Sequence, residues 1–416
     1  NAEYMGRGPR FRVYMMKASN MLLQTPFPPH PLSSWNSFTQ SLSFSSFRPV
    51  SASLYPNVSI QPDSLIAPLT ECSTSTSLLP DVDWDKLGFS YHPTDFMYVA
   101  KCPRGGTFSA GELLPFQNIQ LDPAAGVLNY GQGLFEGLKA YRKYDDSILL
   151  FRPEENALRM ITGADRICMP SPSVEHFVDS VKATVLANKR WVPPCGEGSL
   201  YIRPLLIGSG AVLGVSPSPE YTFLIYVTPV GNYFKESVLP INLVVEHNVH
   251  RAAPGGTGGV KVILNYASVL KAQNEAKSKG YTDVLYVDCV EKKYLEEVSS
   301  CNVFVVKGGV VATPAIRGTI LPGITRKSVI DVAKMKGYKV EERLVSVDEL
   351  LDADEVFCTG TAVVVSPVGS VTYKGKRVQY GERGVGVVSQ ELYNALTKLQ
   401  MGLSEDTMNW TVKLGY

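Results

Sequence analysis

Strand-length apolar runs, broken by glycine and proline and interleaved with stretches of helical spacing, organise this 416-residue chain from about residue 81 (DVDWDKLGF) onward. The run YTFLIYVTPV (221–230) is apolar, β-branched and aromatic, which predicts a strand. The polar, glycine-containing GNYFKES follows it, and then a second strand, INLVVEH. A linker is therefore expected over 230–240, between a domain at 79–229 and another at 241–416. Farther on, Asn265 can cap a helix reaching about Lys279, with Val269, Ala272 and Ala276 on one face and Gly280 as its stop. DVLYVD and NVFVVKGGVVATP read as strands, the second folded on a Gly-Gly turn. ILPGITRKSVIDVAKMKG predicts a Pro-Gly turn and then a helix with Val329, Val332 and Ala333 on one face, ended by Gly337. EVFCTGTAVVVSPVGSV is β-rich with a break of small residues at its centre. Helix and strand mixed in this way, with no internal repeat, predict an α+β (mixed α/β) chain.

Composition removes several function classes. Forty-four per cent hydrophobic and 19 per cent charged residues are ordinary for a globular protein, and the net charge of +1 offers no basic stripe for nucleic acid. Apolar runs stop short of the roughly 20 residues that span a bilayer, so no membrane partner is expected. The seven cysteines are scattered singly with no C-x-x-C, and EHNVH lacks the H-E-x-x-H spacing. Neither a metal site nor a disulfide framework is expected. The first sixty residues hold eleven serines, five Lys or Arg and a single acid, Glu3. That is transit-peptide composition, so residues 1–78 are set apart from the fold as a transit or disordered segment.

Four local features carry candidate chemistry. PGGTGGVKV (254–262) is glycine-rich and leads to Lys261, yet Val260 and Val262 occupy the places where a P-loop needs glycine and a hydroxyl. A lysine set among Val260, Val262, Ile263 and Leu264 loses hydration, and its neutral, nucleophilic amine is favoured. Gly323-Ile324-Thr325 opens a helix and can bind an anion with unpaired N–H groups, or be plain helix capping. Thr359-Gly360-Thr361-Ala362 can let a ligand approach the backbone, or be a β-bulge. Glu296 and Glu297 in LEEVSSCN are exposed turn acids, unless one of them faces a cofactor ring nitrogen. Taken together, an imine-forming lysine, a helix start with threonines to hold the phosphate and an acid at the pyridine nitrogen specify pyridoxal 5′-phosphate (PLP). No G-x-S-x-G, metal-ligand cluster or dinucleotide fingerprint competes; GSGAVLG (208–214) has its glycines off the dinucleotide spacing.

Seven blocks in order, NYGQGLFEGLKAYR (129–142), YIRPLLIGSG, PVGNYF, GGVKVILNY, LEEVSSCN, LPGITR and CTGTAVVVSPV, and the terminal NWTV, resemble the branched-chain amino acid aminotransferases, PLP enzymes of fold type IV. The resemblance runs from about residue 81 to the end and is nearest the plant organellar branch. It implies a two-domain fold with a smaller N-terminal α/β sandwich and a larger C-terminal pseudo-barrel, and a homodimer. Lys261 is implied as the Schiff-base lysine, Tyr266 lies against the cofactor's phenolic oxygen, and Glu297 pairs with its ring nitrogen. Arg159, Ile324, Thr325 and Thr361 make the phosphate cup, and Arg251 is a second cofactor-side arginine. Phe89, Tyr130, Phe135, Tyr201, Arg203 and Tyr233 are implied to line the substrate pocket, with Val215 contributed across the dimer interface. The Thr361–Ala362 backbone takes the substrate carboxylate, and Arg203 with Tyr130 takes the side-chain carboxylate of glutamate.

The implied reaction is reversible, ping-pong amino transfer between leucine, isoleucine or valine and 2-oxoglutarate in a plastid, with a mitochondrion as the alternative. Apolar pockets separate side chains one methylene apart by only about 1–3 kcal/mol, so all three amino acids are expected to react. Alternative activities on the same fold are transamination of methionine-derived 2-oxo acids or D-amino acids, and an aminodeoxychorismate lyase-like reaction. A non-enzymatic alternative is a phosphate-binding module built on the glycine loop. Some animal members carry C-x-x-C after the G-T-A triplet; Val363 and Ser366 stand there instead, so that redox switch is expected to be absent. VILNY around the lysine also departs from the small residues more usual in the family.

Overall fold

A computed structural model describes residues 80, 82–231, 239–381 and 384–414, so the 1–78 segment and Tyr233 lie outside the described residues. The chain builds two sheets. The first takes β1 (Phe96–Pro103), β2 (Glu112–Pro115), β3 (Gly133–Phe135), β4 (Leu138–Arg142), β5 (Ile148–Phe151), β6 (Gly198–Gly208) and β7 (Glu220–Gly231). The second takes β8 (Ile241–Glu246), β9 (Asp283–Val287), β10 (Leu295–Val298), β11 (Asn302–Lys307), β12 (Val310–Pro314), β13 (Lys339–Arg343), β14 (Glu355–Gly360), β15 (Val364–Tyr373) and β16 (Lys376–Gln379). A last strand, β17 (Thr411–Leu414), returns to the first sheet. The order there is β17-β5-β4-β6-β7-β1-β2, with β3 on β6; the second runs β10-β9-β8-β15-β14-β11-β12-β13, with β16 on β15. One of the two sheets is a half-barrel, and helix and strand are mixed as expected.

The helices are α1 (Gly126–Tyr130), α2 (Pro153–Arg166), α3 (Val174–Ala187), α4 (Leu264–Ala267), α5 (Leu270–Ser278), α6 (Ile324–Met335), α7 (Val347–Leu351) and α8 (Val387–Gln400). In α3, Ser173 caps the start by accepting the N–H of His176, and Phe177, Val178, Val181 and Val185 recur at helical spacing on the buried side. They join Tyr98, Phe223, Ile225 and Val227 from β1 and β7 in one core, each such side chain stabilising the fold by about 1.5–3 kcal/mol. The apolar run 221–230 is β7, paired with β6 along its whole length from Gly198↔Gly231 to Gly208↔Tyr221. In α6, Val329, Ile330, Val332 and Ala333 are buried with Phe304 and Phe357 of β11 and β14.

Two expectations change. The helix expected from Asn265 to Lys279 is broken into α4 and α5, and Asn265 lies inside the first turn rather than capping it. Its side chain instead donates to the carbonyls of Thr257 and Val260 and accepts from the Thr257 hydroxyl, so it is spent on holding the glycine loop. Glu296 and Glu297 are not exposed turn acids but lie in β10, with Glu297 only 2 per cent exposed.

Candidate active site

The segment carrying Lys261 runs alongside β3. Val262 bridges Leu134, the Phe135 N–H donates to the Lys261 carbonyl at 3.3 Å, and the Ile263 N–H donates to the Gly133 carbonyl at 3.1 Å. Extended backbone alternates its side chains, so Val262 goes fully into the first core and Lys261 faces the other way, into a cavity. The glycines before it serve packing: a Cβ on Gly258 would collide with the Thr319 carbonyl. Lys261 Nζ donates to the Tyr266 hydroxyl at 2.9 Å and lies 4.4 Å from the Phe135 ring centre. Burial, aided by Arg159 and Arg203 and opposed by Glu136 and Glu297, brings the amine down to about 7. It is thus substantially neutral near physiological pH. Burial likewise raises the Tyr266 phenol, which stays protonated.

Strand alternation also separates the two acids. Glu296 accepts from the Thr319 hydroxyl at 2.9 Å, whereas Glu297 turns inward to the Arg251 guanidinium at 2.7 Å and the Leu321 N–H at 2.9 Å. Burial pushes Glu297 up to about 7 against the pull of Arg251, so its charge responds to a nearby cation. Arg251 in turn donates to the Ser299 carbonyl.

A donor-rich corner lies at the start of α6. Its N-cap, Gly323, gives no side-chain cap, and a Cβ there would strike the Asn302 amide. Ile324, Thr325 and Thr361 line one small cavity with Lys139, and the Thr361 hydroxyl donates to the Gly137 carbonyl at 3.2 Å. Arg159, on α2, is held by Glu136 at 2.8 and 2.7 Å and reaches the Pro322 carbonyl just before this corner. The corner therefore combines helix-start N–H groups, hydroxyls and cations, which together fit a phosphate dianion.

The cavity that Lys261 faces has a volume of about 460 Å³. Phe89, Phe135, Tyr201 and Arg203 line it with Lys261 and Tyr266, both of which lie against the Phe135 ring, and with Gly360 to Val363. Arg203 sits 4.8 Å from the Phe135 ring and 5.2 Å from the Tyr201 ring, and its buried Nε has no hydrogen-bond partner. Tyr130 and Val215 do not line this cavity. The Tyr130 hydroxyl donates to the Leu213 carbonyl, and Leu213 and Val215 are 90 and 89 per cent exposed.

Sequence reading passed over Lys139, Glu136, Ser300 and Cys301. Ser300 and Cys301 line the cavity, and Lys139 Nζ donates to the Ala362 carbonyl at 2.8 Å. Its signal was present: a lysine and a glutamate inside the strand-like run LFEGLKAY are costly unless buried with partners.

Comparison with known proteins agrees with this geometry. The family profile for class IV amino-transferases matches residues 133–371. A branched-chain amino acid aminotransferase 2 of Humulus lupulus, described as chloroplastic, is 73 per cent identical over 348 residues, 84 per cent of this chain and 85 per cent of that one. The Escherichia coli branched-chain amino acid aminotransferase superposes with a TM-score of 0.67 at 30 per cent identity, covering 77 per cent of this chain and all of that one. A T.th. branched-chain amino acid aminotransferase solved with pyridoxamine 5′-phosphate has the same TM-score at 27 per cent identity, covering 77 and 99 per cent. Profile, relatives and superposition converge on one assignment: the chain belongs to the class IV aminotransferases, among their branched-chain amino acid members.

Proposed function

We propose that the protein transfers the amino group between leucine, isoleucine or valine and 2-oxoglutarate, with PLP as its cofactor. The observation that carries this reading is Lys261, an amine that titrates near neutrality and is fixed by a 2.9 Å bond to Tyr266 in a cavity lined by Phe89, Phe135 and Tyr201. The residues fit the cofactor's three recognisable parts. Ile324, Thr325, Thr361 and Arg159 would hold its phosphate, Glu297 with Arg251 behind it would face the ring nitrogen, and Lys261 would join the aldehyde carbon. When bound, the cofactor supplies an electron sink for the pair left at the substrate α-carbon.

The chain's own groups do the rest. Lys261 Nζ takes the α-proton and returns it, a task suited to an amine that titrates near neutrality. Tyr266 aims that nitrogen, and the aromatic wall excludes water around it. The Thr361–Ala362 backbone is the seat for the substrate carboxylate, with Lys139 bracing the turn. Phe89, Phe135 and Tyr201 take a branched side chain. Arg203, whose Nε lacks a partner, takes the distal carboxylate of glutamate.

A second copy completes the pocket. Leu213 and Val215 are exposed apolar residues outside their own cavity, with half-buried Tyr130 bonded to the Leu213 carbonyl, which fits a homodimer in which that loop closes the partner's pocket. The proposed domain boundary falls within 230–240, and residues 1–78 direct the protein to the plastid, in line with the chloroplastic Humulus relative.

Purified protein incubated with each branched-chain amino acid and 2-oxoglutarate is expected to form glutamate. Arg203→Gln is expected to raise the KM for 2-oxoglutarate about tenfold or more, as for loss of a charged hydrogen bond, and to change that for leucine far less. Turnover confined to D-amino acids or to a methionine-derived 2-oxo acid contradicts this reading.

A further inference from the structure

The residue joining β5 to α2 is Arg152, and its backbone is left-handed, with φ 48° and ψ 48°, a region that a residue with a Cβ enters only when its surroundings demand it. Those surroundings come from three parts of the chain. The Arg152 N–H donates to the Trp410 carbonyl at 2.7 Å, and its guanidinium lies 4.4 Å over the Trp410 ring, so β17 and the turn before it grip the residue from the C-terminal end. Nη2 meets Glu155 at 3.1 Å in the first turn of α2, the helix that carries Arg159 about one turn on. Nη1 donates to the Ser328 hydroxyl at 2.9 Å, and that hydroxyl donates to the Ile324 carbonyl at 2.9 Å. Asp331 of α6 stands 3.7 Å from the same nitrogen. Arg152 is 7 per cent exposed, Ser328 is fully buried and Trp410 is 7 per cent exposed.

This relay ends on the first turn of α6, where Ile324 and Thr325 face the donor-rich corner, and it begins on the helix that supplies Arg159. We propose that Arg152 is a positioning residue for that anion cup. It locks the start of α6 to α2, and the C-terminal segment, through Trp410, locks Arg152. Docking of the last strand is thereby coupled to cofactor retention, although no atom of that strand lines the cavity. The inference rests on the assignment of this corner to the cofactor phosphate.

The test measures PLP dissociation by equilibrium dialysis against the full-length protein, with the visible spectrum of the bound form and the melting temperature of each variant recorded alongside. Arg152→Met, Ser328→Ala and Trp410→Leu are each expected to weaken PLP retention, Arg152→Met by roughly tenfold or more, the size of a lost buried charged hydrogen bond. Arg152→Lys is expected to recover part of that loss. The double variant Arg152→Met/Ser328→Ala is expected to lose little beyond Arg152→Met alone, because both break one relay. If Arg152→Met does not fold, Ser328→Ala and Trp410→Leu carry the same test. Folded variants that lower the melting temperature yet keep wild-type PLP affinity overturn the coupling. A wild-type protein that takes up no PLP overturns instead the assignment of the corner to a phosphate, which keeps the two failures distinct.

Discussion

The surroundings of Lys261 and Lys139 are two answers to one problem, a lysine inside a protein. Lys139 sits in β4 with its ammonium on the Ala362 carbonyl, and burial alone brings it to about 8. Lys261 is hydrogen-bonded to the Tyr266 hydroxyl, and burial, with the repulsion of Arg159 and Arg203 added and Glu136 and Glu297 opposing, brings it to about 7. A carbonyl partner favours the charged form and suits a brace. Burial with cations nearby favours the neutral amine and suits a nucleophile and base.

Substitution separates the two roles. Lys261→Ala is expected to lower kcat by about 10³-fold or more, the scale of a lost acid–base group, with the fold retained by circular dichroism. Lys139→Met leaves the Ala362 carbonyl without its donor and is expected to cost about tenfold, chiefly in KM, the scale of one net hydrogen bond. Equal losses of kcat would erase the distinction.

A pH series on the cofactor-free protein sharpens it. Each lysine titrates lower when folded than when unfolded, so the unfolded chain binds more protons between the two values and stability rises with pH in that window. The window opens at about 7 for Lys261 and at about 8 for Lys139, and closes near 10.5 for both. Below the folded value the full penalty applies, at about 1.4 kcal/mol per pKa unit. Lys261→Met is therefore expected to stabilise the protein at neutral pH by a few kcal/mol at most and to flatten its urea midpoint between pH 7 and 10. Lys139→Met is expected to flatten it less and only above pH 8. An unchanged slope in Lys261→Met would refute its depressed titration.

What the sequence made readable divides along the same line. The strand runs, the α6 start and the Gly360 break depend on local spacing and stand where periodicity puts them. Local spacing left Glu296 and Glu297 equivalent and only the family resemblance chose Glu297; the physical reason came with β10, because alternation needs a strand and LEEV is too short to declare one. Lys139 and Arg152 escaped for another reason. Each is defined by partners more than 170 residues away, Ala362 for one and Ser328 with Trp410 for the other. The run LFEGLKAY signals that Lys139 needs a partner, but no local pattern says which residue that is. The helix after Lys261 failed because Asn265 had tertiary bonds to make, and those override capping preference.

The central claim is that Lys261, not its neighbour across the site, joins the cofactor. Borohydride reduction of the PLP-loaded protein, followed by peptide mapping, tests it directly. The account predicts a single pyridoxyl label on the peptide carrying Lys261; a label on Lys139 or any other lysine, or no label at all, would contradict it.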